Sequence, residues 1–391
     1  MSSRRVGTGE HDGARDRGSA AASLQLRRLS SPQLEAFRHV EAVSARQSSR
    51  ARDALIGILQ RTGLEAAALD EAMQAVRDHA RVVLHFHPDR LNSEGLSVVE
   101  ALLQEGLYRS QFETGLSSGS LTAFPGGERD SWEERLFGGA YQARGVSLSE
   151  RPKYGALELI RYADGPAPRF GSCYLVLHRA VSERCSFTYG GSQSPLALEH
   201  SGTLAAMDCV MAALLEEVAK GEGALGINDL TVAGLLARLS DGLSSPYPVP
   251  AMRQMGRSLD SFIEAQVHGA VELGPDVEWL VADPAFQGTP IEGYLTAICS
   301  NYHIALDWHP GFALPVSRVP DDFRGPAMPP LARRIAGDGF IDAAKIGKAA
   351  ASLRLEPESW QDCGTYADTL QHLKQLWHVL VRYGSPKGSI G

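Results

Sequence analysis

The hydrophobic period of this chain changes twice, and that limits the folds open to it more than any single motif. From Ser31-Pro32 onward Leu34, Phe37, Val40 and Val43 recur at helical spacing, and Ala54, Leu55, Ile58 and Leu59 continue the stripe. Gly63 punctuates it before a second helical stretch over 64–76. The run Arg81-Val-Val-Leu-His-Phe-His87 then reads as a strand stopped by Pro88. Residues 94–105 read as a helix, 106–112 as a strand, and 156–162, 171–177 and 185–189 as three more strands. A helical insertion covers about 202–240, and the Pro-rich stretch 244–250 marks a boundary. Residues 262–267 and 277–282 read as paired strands around a Gly-Pro turn. A helix over 291–301, a strand over 304–308 and mostly helices over 328–383 complete the pattern. The expected class is α+β, a β-rich centre between helical flanks, with no internal repeat.

Composition narrows the function. The 391 residues carry 43% hydrophobic and 21% charged side chains, the mix of a globular protein of one large or two to three ordinary domains. No apolar run reaches the roughly 18–20 residues that span a bilayer, so no membrane partner is expected. A formal charge of −8 argues against a nucleic-acid partner, which needs a basic surface. The five cysteines (Cys173, Cys185, Cys209, Cys299, Cys363) never fall at CxxC spacing, which points away from disulfides and zinc knuckles and toward a reducing compartment. Residues 1–32, rich in Ser, Gly, Ala and Arg, read as a disordered arm lacking the apolar stretch of a signal peptide. The Gly- and Ser-dense stretch 113–130 is a loop of functional length.

The densest group of chemically capable side chains is His85-Phe-His-Pro-Asp-Arg90. On a strand His85 and His87 share one face, and Asp89 can turn toward it beyond Pro88. HxHxD spacing suits a zinc hydrolase, but Arg90 stands where that pattern needs another His, and a guanidinium beside a divalent cation is unfavourable. The tripeptide His87-Pro-Asp89 also matches chaperone J-domains, although a strand precedes it here rather than a helix. A strand end with a local Asp89–Arg90 ion pair is the plain structural alternative.

Longer runs carry a resemblance. His85–Arg90, Gly106-Leu-Tyr-Arg-Ser-Gln-Phe-Glu-Thr-Gly115, Leu121-Thr-Ala-Phe-Pro-Gly-Gly127, Trp132-Glu-Glu-Arg-Leu-Phe-Gly-Gly139, Arg151-Pro-Lys-Tyr-Gly155, Arg169-Phe-Gly-Ser172 and Phe262-Ile-Glu-Ala-Gln-Val-His-Gly269 together resemble a bacterial domain-of-unknown-function family. The resemblance spans about 80–326. That family in turn resembles the mono-ADP-ribosyltransferases that modify a threonine of ubiquitin. The resemblance implies an ADP-ribosyltransferase-like split β-sandwich core over 81–326, with helical segments at 33–80, 202–240 and 327–391. It implies NAD as a substrate, no metal, and a protein acceptor, ubiquitin or another. It implies a bacterial cytoplasmic protein, with secretion as an effector by a non-classical route as the alternative.

It also implies a catalytic pair, Asp89 and Glu264. Cleaving the nicotinamide–ribose bond develops a cationic sugar, and a carboxylate aimed at it stabilises that charge. Glu264 on a strand fits this role. Asp89 either takes the proton from an acceptor hydroxyl or holds the ribose and leaves acceptor activation to Glu264. The dinucleotide is expected to touch His85, His87, Arg90, Tyr108, Arg109, Ser110, Tyr154 and Gln266. Among these Arg90 and Arg109 suit the pyrophosphate, and Tyr108 and Tyr154 suit stacking on nicotinamide. No GxGxxG sits at a strand-to-helix junction, so a Rossmann site is not indicated. A metal-dependent hydrolase and a binding module without turnover are the rival expectations.

Overall fold

Alternation in residues 81–86 decides how the centre of the molecule faces. Val82, Leu84 and Phe86 enter the main apolar core, while Val83 packs on the other side of the sheet with Tyr174, Val176 and Val281. The second side is where polar residues gather, so a sheet with one dry face carries its chemistry on the other.

The computed structural model describes residues 23–116, 123–245, 247, 259 and 261–386. Helices α1 (Ser31–Thr62) and α2 (Ala66–His79) lead into strand β1 (Arg81–Phe86). Helices α3 (Val98–Glu105) and α4 (Glu128–Phe137) precede strands β2 (Lys153–Glu158), β3 (Cys173–Leu177), β4 (Cys185–Tyr189) and β5 (Ser201–Thr203). The inserted helices α5 (Asp208–Ala219) and α6 (Val232–Gly242) are followed by β6 (Ile263–Val267) and β7 (Val277–Ala282). Helix α7 (Pro290–Tyr302), strand β8 (Ala305–Trp308) and helices α8 (Met328–Ala336), α9 (Ala343–Leu355) and α10 (Tyr366–Tyr383) complete the chain. These eight strands form one mixed sheet in the order β8-β7-β3-β1-β2-β6-β4-β5, antiparallel throughout except for the β7–β8 pair, and two short two-stranded ribbons, 107–108 with 271–272 and 313–315 with 340–342, stand beside it.

One continuous sheet therefore stands where a two-sheet sandwich is expected. The sheet nevertheless parts locally. β1 pairs with β2 only as far as Val83–Ala156. Beyond that point β1 stays with β3 through Phe86–Cys173, and the first half of β2 stays with β6 from Lys153–Val267. Two glycines permit the crossing. A Cβ on Gly155 would lie 2.5 Å from the Val83 carbonyl oxygen, and one on Gly171 would lie 2.3 Å from the Phe86 backbone.

Other expectations shift for local reasons. The helix expected over 94–105 starts at Val98, where Ser97 caps it and Glu100 returns the bond to the Ser97 N–H. The strand expected over 106–112 is cut to Leu107–Tyr108, because Ser110 and Glu113 form a second capping box that turns the chain into a helical turn. Residues 23–32 are not a loose arm. Arg28 pairs with Asp276 at 2.6 Å, and Asp276 is also held by the fully buried Arg184 at 3.0 Å. The rest of the expected arm, 1–22, and residues 117–122 of the expected loop lie outside the described residues. The C-terminal helices are integral to the core, since Trp377 is fully buried and donates Nε1–H to the Pro168 carbonyl at 3.0 Å.

Gly171→Ala is expected to destabilise the protein by at least ~2 kcal/mol through overpacking against backbone. Gly293→Ala, in an open stretch of α7, is expected to be neutral or to stabilise by up to ~1 kcal/mol. Urea unfolding of the two variants beside the native chain measures both.

Candidate functional site

Where β1 and β2 part, a cleft of 760 Å³ opens, within the range of small-molecule sites. His85, Phe86 and His87 form one side; Tyr154, Gly155, Ala156 and Glu264 form the other. α3 and the 107–116 segment close it on one flank, and Arg354 of α9 with Leu370, Gln371 and Lys374 of α10 close it on another.

Glu264 is the best-prepared group in this cleft. Its Oε1 accepts hydrogen bonds from the Ser192 backbone N–H at 3.0 Å and from the Gln266 amide at 2.9 Å. The Gln266 amide is itself oriented by a buried chain. Ser186 donates to Gln266 Oε1 at 2.8 Å, so its oxygen must accept from His268 Nε2–H at 3.0 Å. That leaves His268 Nδ1 as an acceptor for the Tyr141 hydroxyl at 2.6 Å. On the far side Gln266 Nε2 reaches Thr188 Oγ1 at 3.2 Å, and Thr188 donates to Ser201 at 2.8 Å, whose own proton goes to the Ala197 carbonyl. Every donor finds one acceptor, and one tautomer of a neutral His268 satisfies them all. Burial, with Arg184 and Lys153 nearby, lowers the His268 pKa to about 3, in keeping with that neutrality.

A second buried group fixes Tyr154. Its hydroxyl donates to Glu133 Oε1 at 2.8 Å, Arg151 holds the other Glu133 oxygen at 2.8 Å, and the Arg129 guanidinium lies 4.5 Å from the Tyr154 ring centre. Burial pushes the Glu133 carboxyl up to about 7, against the opposing pull of Arg151 and Tyr154. Sequence reasoning missed Glu133, Arg151, Tyr141 and His268 as site supports. The signal for His268 lay in the strand period, since Glu264 and Gln266 share the face that His268 continues.

The expected dinucleotide contacts divide. His87, Arg90, Tyr108, Arg109 and Tyr154 line the cleft with Glu264. His85 lines it too, but its ring is tied to backbone: Nδ1 lies 3.3 Å from the Gly171 carbonyl, and Nε2 accepts from the Ala167 N–H at 3.2 Å. Arg109 is partly committed to Glu105 and Glu113. Gln266 is fully buried and positions Glu264 instead of facing a ligand. Ser110 is a buried helix cap that donates to the Leu148 carbonyl at 3.4 Å, so it is structural. Ser186 and Thr188 of β4 belong to the network behind Glu264.

Asp89 is not part of the cleft wall. Its carboxylate packs on α9, with Oδ2 only 1.4 Å from where a Gly347 Cβ would stand, and Oδ1 is buried without a partner. Burial pushes its pKa up to about 6, opposed by the Arg90 charge. Beyond Pro88 this side chain goes to Gly347 and is not among the residues that line the cleft with His85 and His87. The expected acid pair around one ligand is therefore reduced to Glu264 alone. Nor do His85, His87 and Asp89 converge as metal ligands; no group of three or more His, Cys, Asp or Glu side chains among the described residues is arranged to hold an ion. His87-Pro-Asp89 follows a strand, unlike the J-domain arrangement.

The chain belongs to the DUF3626 family, described as proteins of unknown function, whose profile matches residues 81–383. That span runs past 326 to the end of α10, consistent with the buried Trp377. No curated protein matches the sequence.

Tyr141→Phe removes the one donor to His268 Nδ1 and is expected to cost about 1–3 kcal/mol in urea unfolding. The same network sets a pH dependence. The folded pKa of His268 lies below its unfolded value near 6.5, so its contribution is fully present above pH 6.5 and is lost as pH falls toward about 3. Nitrogen NMR is expected to find His268 neutral with its proton on Nε2 at pH 5; an imidazolium titrating near 6.5 would refute the assignment.

Proposed function

We propose that the cleft binds NAD and that the protein is a mono-ADP-ribosyltransferase, moving ADP-ribose to a serine or threonine hydroxyl of a protein acceptor with release of nicotinamide. The observation that carries this reading is the placement of Glu264. Its carboxylate is fixed at one oxygen by Ser192 and Gln266, and the residue walls the gap between two parting strands. A parted sheet with a glutamate at its split is also what an ADP-ribosyltransferase-like core would supply, and the sequence motifs that resemble such enzymes surround it.

In this reading the bond from the ribose anomeric carbon to nicotinamide nitrogen breaks, and nicotinamide leaves with the electron pair. The acceptor oxygen forms the new bond to that carbon and gives up its proton. Glu264 stabilises the positive charge that builds on the ribose, where a preorganised carboxylate is most effective. With Asp89 facing Gly347, acceptor activation also falls to Glu264. Arg90 and Arg129 each keep a buried guanidinium nitrogen without a partner at the cleft, suited to pyrophosphate oxygens. Ubiquitin is one acceptor that the family resemblance suggests, and another protein is equally compatible with it. A bacterial cytoplasmic protein, or an effector released from that compartment, would meet NAD in either setting.

Incubation with NAD labelled in nicotinamide tests the proposal. The native chain is expected to release the label, and Glu264→Gln to slow release by about 100-fold or more with circular dichroism unchanged. Asp89→Asn is expected to keep most of the activity. Equal release by the native chain and Glu264→Gln, or none by either, would reject the reading.

A further inference from the structure

One polar side chain on the cleft wall takes no part in holding the free protein together. Gln111 opens the helical turn Gln111–Thr114, on the flank of the cleft that carries Leu107 and Tyr108. Its neighbours are all committed. Arg109 pairs with Glu105 and Glu113, Ser110 donates to the Leu148 carbonyl, and Glu113 accepts from the Ser110 N–H at 2.7 Å. Phe112 is buried with the Arg151 guanidinium 4.5 Å from its ring centre, and Thr114 donates to the Ser110 carbonyl at 3.1 Å. These contacts fix the turn without the Gln111 side chain. Gln111 Oε1 is buried and has no hydrogen-bond partner, and among the described residues no hydrogen bond holds the other end of the amide. A buried acceptor left unpaired costs stability, so folded chains keep few of them. Packing does not account for this one, since Leu107 and Leu116 line the same flank and show that apolar side chains fit there.

We propose that Gln111 determines the specificity of this cleft by reading a ring-borne amino or amide group of the nucleotide ligand. A primary amide offers an acceptor and two donors side by side. It is complementary to a flat group that carries an N–H beside an acceptor. Adenine has that pattern at its amino group, and nicotinamide has it at its carboxamide. The last torsion of a Gln side chain is soft, so the amide can exchange the positions of its two ends. The exchange breaks no protein hydrogen bond and brings the oxygen out of its dry position to the ligand N–H. Binding then satisfies an acceptor that the free protein leaves empty, and a ligand lacking that N–H leaves it empty still. A site built around such a bond rejects the analogue without it more strongly than an apolar pocket rejects a misfit.

The inference rests on the reading that the cleft binds NAD, and it holds whether or not NAD is cleaved. Calorimetric titration tests it on the full chain carrying Glu264→Gln, which keeps the ligand intact. The ligands are NAD, its analogue with nicotinic acid in place of nicotinamide, and its analogue with hypoxanthine in place of adenine. One analogue is expected to bind at least about tenfold more weakly than NAD. Weak binding of the nicotinic acid analogue assigns the N–H to the carboxamide, and weak binding of the hypoxanthine analogue assigns it to the adenine amino group. Adding Gln111→Leu is expected to erase the preference, weakening NAD and the analogue that keeps the N–H while leaving the other unchanged. Equal affinity for all three ligands, equal losses across them in Gln111→Leu, or a preference that survives the substitution would each overturn the inference. The free protein gives an independent readout. Gln111→Leu is expected to melt at the same temperature as the native chain or higher, and a clear fall would mark the amide as structural and overturn the inference. NAD bound by the native chain without release of nicotinamide would reject the transferase and leave the role of Gln111 standing. Release with the preference unchanged in Gln111→Leu would do the reverse, and no binding of NAD would reject both.

Discussion

The parting of β1 from β2 after the Val83–Ala156 pair is the constraint on which the site depends. Two neighbouring strands normally hold each other along their length, and ending that ladder early leaves backbone groups and side chains to be satisfied otherwise. Here β3 and β6 take over the two freed halves, and Gly155 and Gly171 let the backbones pass closely enough for this to happen. The result is a cavity whose walls are regular strands, so a residue placed on them inherits their rigidity. Glu264, paired across from both Ala156 and Thr188, is held in that way.

The groups behind the walls show why the site needs so many buried polar residues. A carboxylate poised at a cleft must be aimed, and an amide can aim it only if its own orientation is fixed. The chain from Tyr141 through His268 and Ser186 to Gln266 fixes it with neutral groups. Neutral partners avoid the desolvation cost that an additional buried charge would bring. Tyr154 is fixed differently, by a charged pair of Glu133 and Arg151, with Asp130 2.6 Å from the same guanidinium. Cutting either support moves a cleft wall without touching a ligand.

Much of the fold was legible because its signals were local. Strand β4 at 185–189 and strand β7 at 277–282 fall where alternation places them, and β6 is displaced by one residue only. The class was legible as a β centre between helical flanks. The single sheet was not, since no local pattern tells whether two strands pair through part or all of their length. Glu264 was legible from its strand and motif. Asp89 was misleading because the direction of a side chain after Pro88 depends on α9, far along the sequence, where Gly347 leaves room for it. Ser110 was misread for the opposite reason: its partner Glu113 lies three residues on, a capping pattern visible in the sequence itself.

The account joins a family of unknown function to one chemical arrangement, a glutamate at the split of a sheet facing a cleft with cations along its walls. The most direct test is a crystal structure of the Glu264→Gln variant grown with saturating NAD. The account predicts the dinucleotide between β1 and β2, with the nicotinamide ribose against residue 264. A dinucleotide bound elsewhere, or a cleft left empty at saturation, would contradict it.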